Sequence, residues 1–174
     1  MRLFKLINFL ILSFFLIGIA EAKEIKVEVK LTDIKAIKTE EKGGDELYFD
    51  TIEYSSLGHS KEARIPAKPL HWLSSQLSGV KNVVLWQGTV QDDESIRVIL
   101  TLVEQDLEPW EVDDMLGSIQ LNLANKSGKL TKEWIVPVFE ETDEVEMLKK
   151  GDPQRYLFKG DGAKYEVAFK VDQK

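Results

Sequence analysis

The chain has 174 residues, of which 43% are hydrophobic and 30% are charged, and this is the composition of one folded domain. It contains no cysteine and carries a formal net charge of −7. The negative charge argues against a nucleic-acid partner, because proteins that bind nucleic acid present basic faces to the phosphates. The lack of cysteine excludes disulfides, a disulfide-linked partner and zinc–thiolate sites.

Residues 1–22 have the pattern of a secretory signal peptide. Two basic residues precede a short apolar run over residues 9–19, and Ala20-Glu21-Ala22 then provides a small-x-small cleavage site. The apolar run is shorter than the roughly 20 residues of a membrane-spanning helix, which disfavours the alternative of an amino-terminal anchor. We therefore predict a protein exported to a periplasm or secreted, with one mature domain over residues 23–174.

The segments that follow alternate in hydrophobicity with period two, which is typical of strands that bury one face. Turn-forming residues separate these segments at the spacing of a β-sandwich. We predict an all-β fold, an eight-stranded antiparallel β-sandwich. Its strands are expected over residues 25–31, 47–54, 63–66, 83–90, 96–103, 115–123, 132–138 and 164–171.

Two short helices are predicted in the connections between strands. Over residues 70–77, leucines recur at positions i, i+3 and i+7, between a preceding proline and a following glycine. Residues 143–150 begin with an aspartate that can cap a helix, end with two lysines and stop at Gly151.

An acidic loop over residues 103–117 is the most informative segment for function. Six of its fifteen residues are Asp or Glu. Calcium prefers several oxygen ligands that converge on one point, and carboxylates supply many of them. On composition alone, the alternative is a solvated acidic hairpin.

The order of residues in this loop resembles the third calcium-binding loop of the C2 domain, the calcium-dependent lipid-binding β-sandwich of protein kinase C and synaptotagmin. The family pattern runs roughly D-x-D-x-x-x-x-x-D-[FM]-[ILM]-G. Asp106, Glu108 and Asp114-Met115-Leu116-Gly117 stand at the same spacing. Asp45-Glu46-Leu47-Tyr48 is similar to the Asp-Pro-Tyr of the first binding loop, with Thr39 where the family has another Asp.

This resemblance implies an antiparallel sandwich that holds calcium between loops at one end. The ligands that it implies are Asp45, Asp106, Glu108 and Asp114. Proximity adds three weaker candidates, which are Asp113, Glu40 and Glu41.

Pro109 and Trp110 fall at the tip of the acidic loop, where members of the C2 family often place apolar residues that enter a bilayer. Tryptophan suits a membrane interface because its ring is apolar and carries one polar N–H. The alternative is that Trp110 folds back onto the sandwich.

Motifs of catalysis are not found in the sequence. There are two histidines, and there is no nucleophile elbow, no His-Glu-x-x-His and no phosphate-binding loop. We therefore predict a non-catalytic binding module whose cofactor is calcium and whose partner is a membrane lipid or a protein. The alternative is a metal-free sandwich that serves as a protein-interaction subunit.

Overall fold

A computed structural model of the chain describes residues 23–106, 112–137, 145–160 and 162–174. These residues form eleven strands and one 3₁₀ helix, Ser74–Gly79. In chain order the strands are β1 (Ile25–Lys38), β2 (Glu46–Ser55), β3 (Ser60–Ile65), β4 (Trp72–Leu73), β5 (Val83–Val90), β6 (Ser95–Glu104), β7 (Asp114–Lys126), β8 (Lys129–Ile135), β9 (Val145–Lys149), β10 (Gln154–Gly160) and β11 (Ala163–Gln173).

The strands form two antiparallel sheets that pack against each other, which confirms the predicted all-β sandwich. The first sheet has the order β5-β1-β11-β10-β9, and the second has the order β3-β2-β6-β7-β8, with β4 paired to β2. Aromatic side chains fill the space between the sheets. The ring of Phe49 in the second sheet meets Phe169 of the first edge-on, with the ring centroids 5.8 Å apart.

The predicted number of eight strands was too low, because three strands were not foreseen. These are β4, β9 and β10. Residues 145–149 form β9 where a helix was predicted, and they pair with β10 in antiparallel register. The capping and charge pattern of this segment is a local preference, and pairing with a neighbouring strand outweighs it.

The helix predicted over residues 70–77 is also different in the structure. Trp72 and Leu73 form β4, and the 3₁₀ helix begins only at Ser74. Leu77 is buried as expected, whereas Leu70 is 63% exposed. In the part of the chain that the structure describes, no helix has the length and apolar character needed to cross a membrane.

The register of the second sheet fixes the position of its acidic residues. Glu104 ends β6 and lies opposite Asp114, which begins β7, and on its other side it lies opposite Leu47 of β2. Paired residues in a sheet point to the same face, so Glu104 and Asp114 share the face that packs on the other sheet.

Candidate functional site

Three carboxylates from the ends of β6 and β7 converge at one end of the sandwich. One carboxylate oxygen from each of Glu104, Asp106 and Asp114 lies within 4.8 Å of the other two. The pairing of Glu104 with Asp114 brings two of these side chains together, and Asp106 lies two residues beyond Glu104 along the chain. We call these three residues the carboxylate cluster.

Glu104 is the buried member of the carboxylate cluster. It is 3% exposed and continues the row of inward residues that runs along β6 through Val98, Leu100 and Leu102. Burial raises the pKa of its carboxyl to about 8, and the charges of neighbouring acids add to that rise. The backbone N–H of Glu46 donates to its Oε1 at 3.4 Å and offsets only part of the effect.

A bound cation would change the charge balance of this cluster. Without a cation, three carboxylates close together repel one another, and the buried Glu104 carboxyl retains its proton near neutral pH. A divalent ion would favour the ionised form of all three groups. The arrangement is therefore suited chemically to a hard cation with oxygen ligands, such as calcium.

Asp45 lies at the same end of the sandwich but outside the carboxylate cluster. It is fully buried, and its Oδ1 accepts hydrogen bonds from the backbone N–H groups of Glu40 at 3.1 Å and Glu41 at 3.0 Å. Its Oδ2 accepts a hydrogen bond from the hydroxyl of Tyr165. In this arrangement Asp45 holds the β1–β2 loop closed and links the two sheets, since Tyr165 belongs to β11.

The sequence around Asp45 explains this local conformation. Gly44 has a φ of 94°, in the left-handed region that glycine adopts without strain. A side chain at Gly44 would also lie 2.8 Å from the Oγ of Ser74. That hydroxyl oxygen accepts the backbone N–H of Asp45 at 2.9 Å, so the loop and the 3₁₀ helix fix each other.

Asp113 is held by neighbouring residues on the outer side of the second sheet. Its Oδ2 accepts a hydrogen bond from the hydroxyl of Tyr48 at 2.7 Å, and its Oδ1 accepts the backbone N–H of Asp106 at 3.2 Å. The guanidinium of Arg64 lies over the Tyr48 ring, 3.5 Å from its centroid. Asp113 thereby positions the backbone of Asp106 at the edge of the carboxylate cluster.

The remaining predicted residues divide into two groups. Glu40 and Glu41 lie exposed in the β1–β2 loop, and the charge of Glu41 contributes to the raised pKa of Glu104. Glu108, Pro109 and Trp110 lie outside the residues that the structure describes.

Sequence reasoning named Asp106 and Asp114, which the structure brings together with Glu104, but it did not name Glu104. The signal was present, because apolar residues alternate along β6 and an extension of that alternation by one step puts Glu104 on the buried face. A buried carboxyl has to be hydrogen-bonded, paired with a cation or protonated, so such a position deserves inspection.

Buried glutamates also occur at the opposite end of the sandwich, with shorter hydrogen bonds than the 3.4 Å bond that Glu104 accepts. Glu53 accepts the indole N–H of Trp86 at 2.7 Å, and Glu94 accepts the backbone N–H of Gln91 at 2.7 Å. The imidazole Nε2 of His59 also lies 3.2 Å from Glu53. Within the described residues, the end that contains Glu104 is the one at which three carboxylates come within 4.8 Å of one another.

In comparisons with known proteins, no family model matches the chain and no curated protein matches it.

Proposed function

We propose that this chain is an exported, non-catalytic binding module that takes up a calcium ion through Glu104, Asp106 and Asp114. The observation that carries the proposal is the convergence of three carboxylate oxygens within 4.8 Å of one another, with the buried Glu104 among them. Two of the three residues are also ligands that the resemblance to the C2 domain implies. Glu108 is a further candidate ligand from the sequence alone.

The bound ion would connect the protein to its partner. Calcium takes six to eight oxygen ligands, and a cluster of three carboxylates leaves coordination positions for other groups. A lipid phosphate or an acidic group of a protein partner is suited to fill those positions. The ion would also offset the negative charge of the chain, which otherwise repels anionic surfaces.

Thermal unfolding in calcium and in EDTA tests this function. A ligand that binds only the folded state raises the melting temperature. At about 10 mM calcium and the affinity typical of extracellular modules, we expect the midpoint to rise by about 3 to 10 °C. Glu104→Gln and Asp114→Asn are expected to abolish the rise, whereas the matched control Glu133→Gln, an exposed acid outside the cluster, is expected to retain it.

The two functions that the sequence left open give different results in this experiment. A wild-type midpoint that is the same in calcium and in EDTA contradicts the calcium module and favours the metal-free interaction subunit. An equal rise in the wild type and in both cluster variants contradicts the assignment of the site.

A further inference from the structure

Arg64 connects β3 to β2 and to the end of β6 on the outer side of the second sheet. It belongs to β3, an edge strand among the described residues, yet only 11% of its side chain is exposed. Its guanidinium lies over the ring of Tyr48, 3.5 Å from the centroid, and its Nη2 donates a hydrogen bond to the Oε1 of Gln105. Arginine is seldom buried without specific contacts, and these contacts hold its head group in place.

Asp113 extends this set of contacts to the residues that begin β7. Its Oδ2 lies 3.9 Å from the Nη1 of Arg64 and accepts the hydroxyl of Tyr48 at 2.7 Å. Its Oδ1 accepts the backbone N–H of Asp106 at 3.2 Å. Four side chains are therefore connected to one another, and we call them the arginine clamp: Arg64, Tyr48, Gln105 and Asp113.

The arginine clamp lies beside two ligands of the proposed calcium site. Gln105 directly precedes Asp106 in the chain. Asp113 directly precedes Asp114. The clamp thus restricts the backbone at both places where the carboxylate cluster takes an aspartate, although none of its own members belongs to that cluster. Contacts of this kind matter for affinity, because calcium binds more tightly when its ligands are held rigidly and oriented in advance.

We propose that Arg64 is a positioning residue for calcium binding, which it supports through the arginine clamp without contacting the ion. This inference rests on the proposed function. A guanidinium is suited to the role because it is planar and carries several N–H groups, so it stacks on Tyr48 and still points donors towards Gln105 and Asp113. Without Arg64, the backbone at Asp106 would be held less firmly.

The sign of the effect distinguishes positioning from simple electrostatics. A positive charge near a cation site repels the cation, so the removal of a cation that acts only through its charge raises the affinity for calcium. The removal of a positioning residue lowers the affinity instead, because the ligands then have to be ordered when the ion binds.

Calorimetric titration of the purified protein with calcium measures this sign. Arg64→Ala is expected to weaken calcium binding about 10-fold, the lower end of the effects known for residues that orient metal ligands. Arg64→Lys keeps the charge but not the planar head group, and its affinity is expected to lie between those of the wild type and Arg64→Ala. Lys61→Ala is the matched control, because it removes an exposed cation from the same strand outside the arginine clamp, and it is expected to bind calcium at least as tightly as the wild type.

Amide hydrogen exchange in EDTA tests the arginine clamp in the absence of calcium. The N–H of Asp106, which donates to Asp113, is expected to exchange several-fold faster in Arg64→Ala than in the wild type. The N–H of Gly58 is the reference, since it donates to the carbonyl oxygen of Ser55 at 3.1 Å in the turn at the opposite end of β2. It is expected to exchange equally in both proteins, and a change at Asp106 alone excludes a general loss of stability.

Two results overturn the proposal even when the wild type binds calcium. The first is calcium binding by Arg64→Ala that is as tight as that of the wild type or tighter, and the second is an unchanged exchange rate at Asp106. If Arg64→Ala does not fold, the same two comparisons with Arg64→Lys decide the matter. A wild type that binds no calcium contradicts the proposed function itself, and with it the role of the arginine clamp in calcium binding.

Discussion

At the end of β6, a glutamate occupies a position where the alternation of the strand calls for an apolar side chain. Glu104 is 3% exposed, and a buried carboxylate near other acids is unfavourable in its ionised form. A cation that favours the ionised form would offset this cost. This is the physical reason why the proposed site is centred on Glu104 and the two aspartates beside it.

The raised pKa of Glu104 predicts how stability depends on pH when calcium is absent. The folded carboxyl holds its proton up to about pH 8, whereas the unfolded carboxyl has its ordinary pKa of 4.5. The favourable contribution of the protonated group is therefore complete below pH 4.5 and is lost as the pH rises to about 8. In EDTA we expect Glu104→Gln to be more stable than the wild type near pH 8, by about 1 to 3 kcal/mol, and the difference to shrink towards pH 5.

Urea unfolding of both proteins between these two pH values measures that difference. In calcium the wild type is expected to be more stable than Glu104→Gln, because only the wild type gains the binding energy of the ion. A difference in EDTA that does not change with pH would show that the Glu104 carboxyl titrates normally in the folded protein.

Among the elements, β7 and β10 approach each other closely next to Asp114, a member of the carboxylate cluster. A Cβ added at Gly160 of β10 would lie 2.5 Å from the Cα of Leu116 and 2.7 Å from the carbonyl oxygen of Met115. Both atoms belong to the backbone that follows Asp114. Because Gly160 has no side chain, the first residues of β7 are able to pack directly against β10.

Gly160→Ala is expected to destabilise the fold by about 1 to 3 kcal/mol, because the backbone of β7 has to move to make room. Gly43→Ala is the matched control, since a Cβ at Gly43 would meet nothing within 4 Å, and we expect an effect within about 0.5 kcal/mol. Equal midpoints of the two variants in urea unfolding would contradict the close approach of β7 and β10.

Alternation with period two predicted most of the strands of this fold because burial on one face leaves a clear pattern in the sequence. It correctly indicated β1, in which the buried Ile25, Val27, Val29 and Leu31 alternate with charged residues. It failed for β9, whose residues are mostly exposed and whose pairing with β10 has no local signal. The local helix preferences of residues 143–150 therefore predicted a helix where the structure has strand β9.

The same limit applies to the candidate site. The spacing of acidic residues in the sequence predicted that Asp106 and Asp114 lie close together, because both lie at the ends of strands joined by one loop. The surroundings of Asp45 depend on Tyr165, a residue 120 positions away, and no pattern near Asp45 indicates that contact. Whether Asp45 contributes a ligand oxygen remains a prediction.

For the molecule as a whole, the negative charge determines which surfaces it can approach. Anionic membranes repel a chain with a net charge of −7 unless cations neutralise the contact. If the partner is a lipid, the protein is expected to sediment with phosphatidylserine vesicles in calcium and to stay in solution in EDTA. Trp110→Ala is expected to reduce the sedimented fraction several-fold, because an interfacial tryptophan is lost.

Leu57→Ala is the control for this vesicle experiment, since Leu57 is a 63% exposed apolar residue in the β2–β3 turn, outside the acidic loop. Sedimentation of Trp110→Ala equal to that of the wild type would remove the role of the loop tip. Calcium binding without any sedimentation would favour a protein partner.

Equilibrium dialysis with radioactive calcium measures the proposed binding itself, because it counts bound ions. At free calcium of a few millimolar, above the dissociation constants of about 0.1 to 1 mM that are typical of extracellular modules, the wild type is expected to bind about one ion per chain. The double variant Asp106→Asn/Asp114→Asn is expected to bind none above background. Wild-type binding no greater than that of the double variant would contradict calcium binding by the carboxylate cluster.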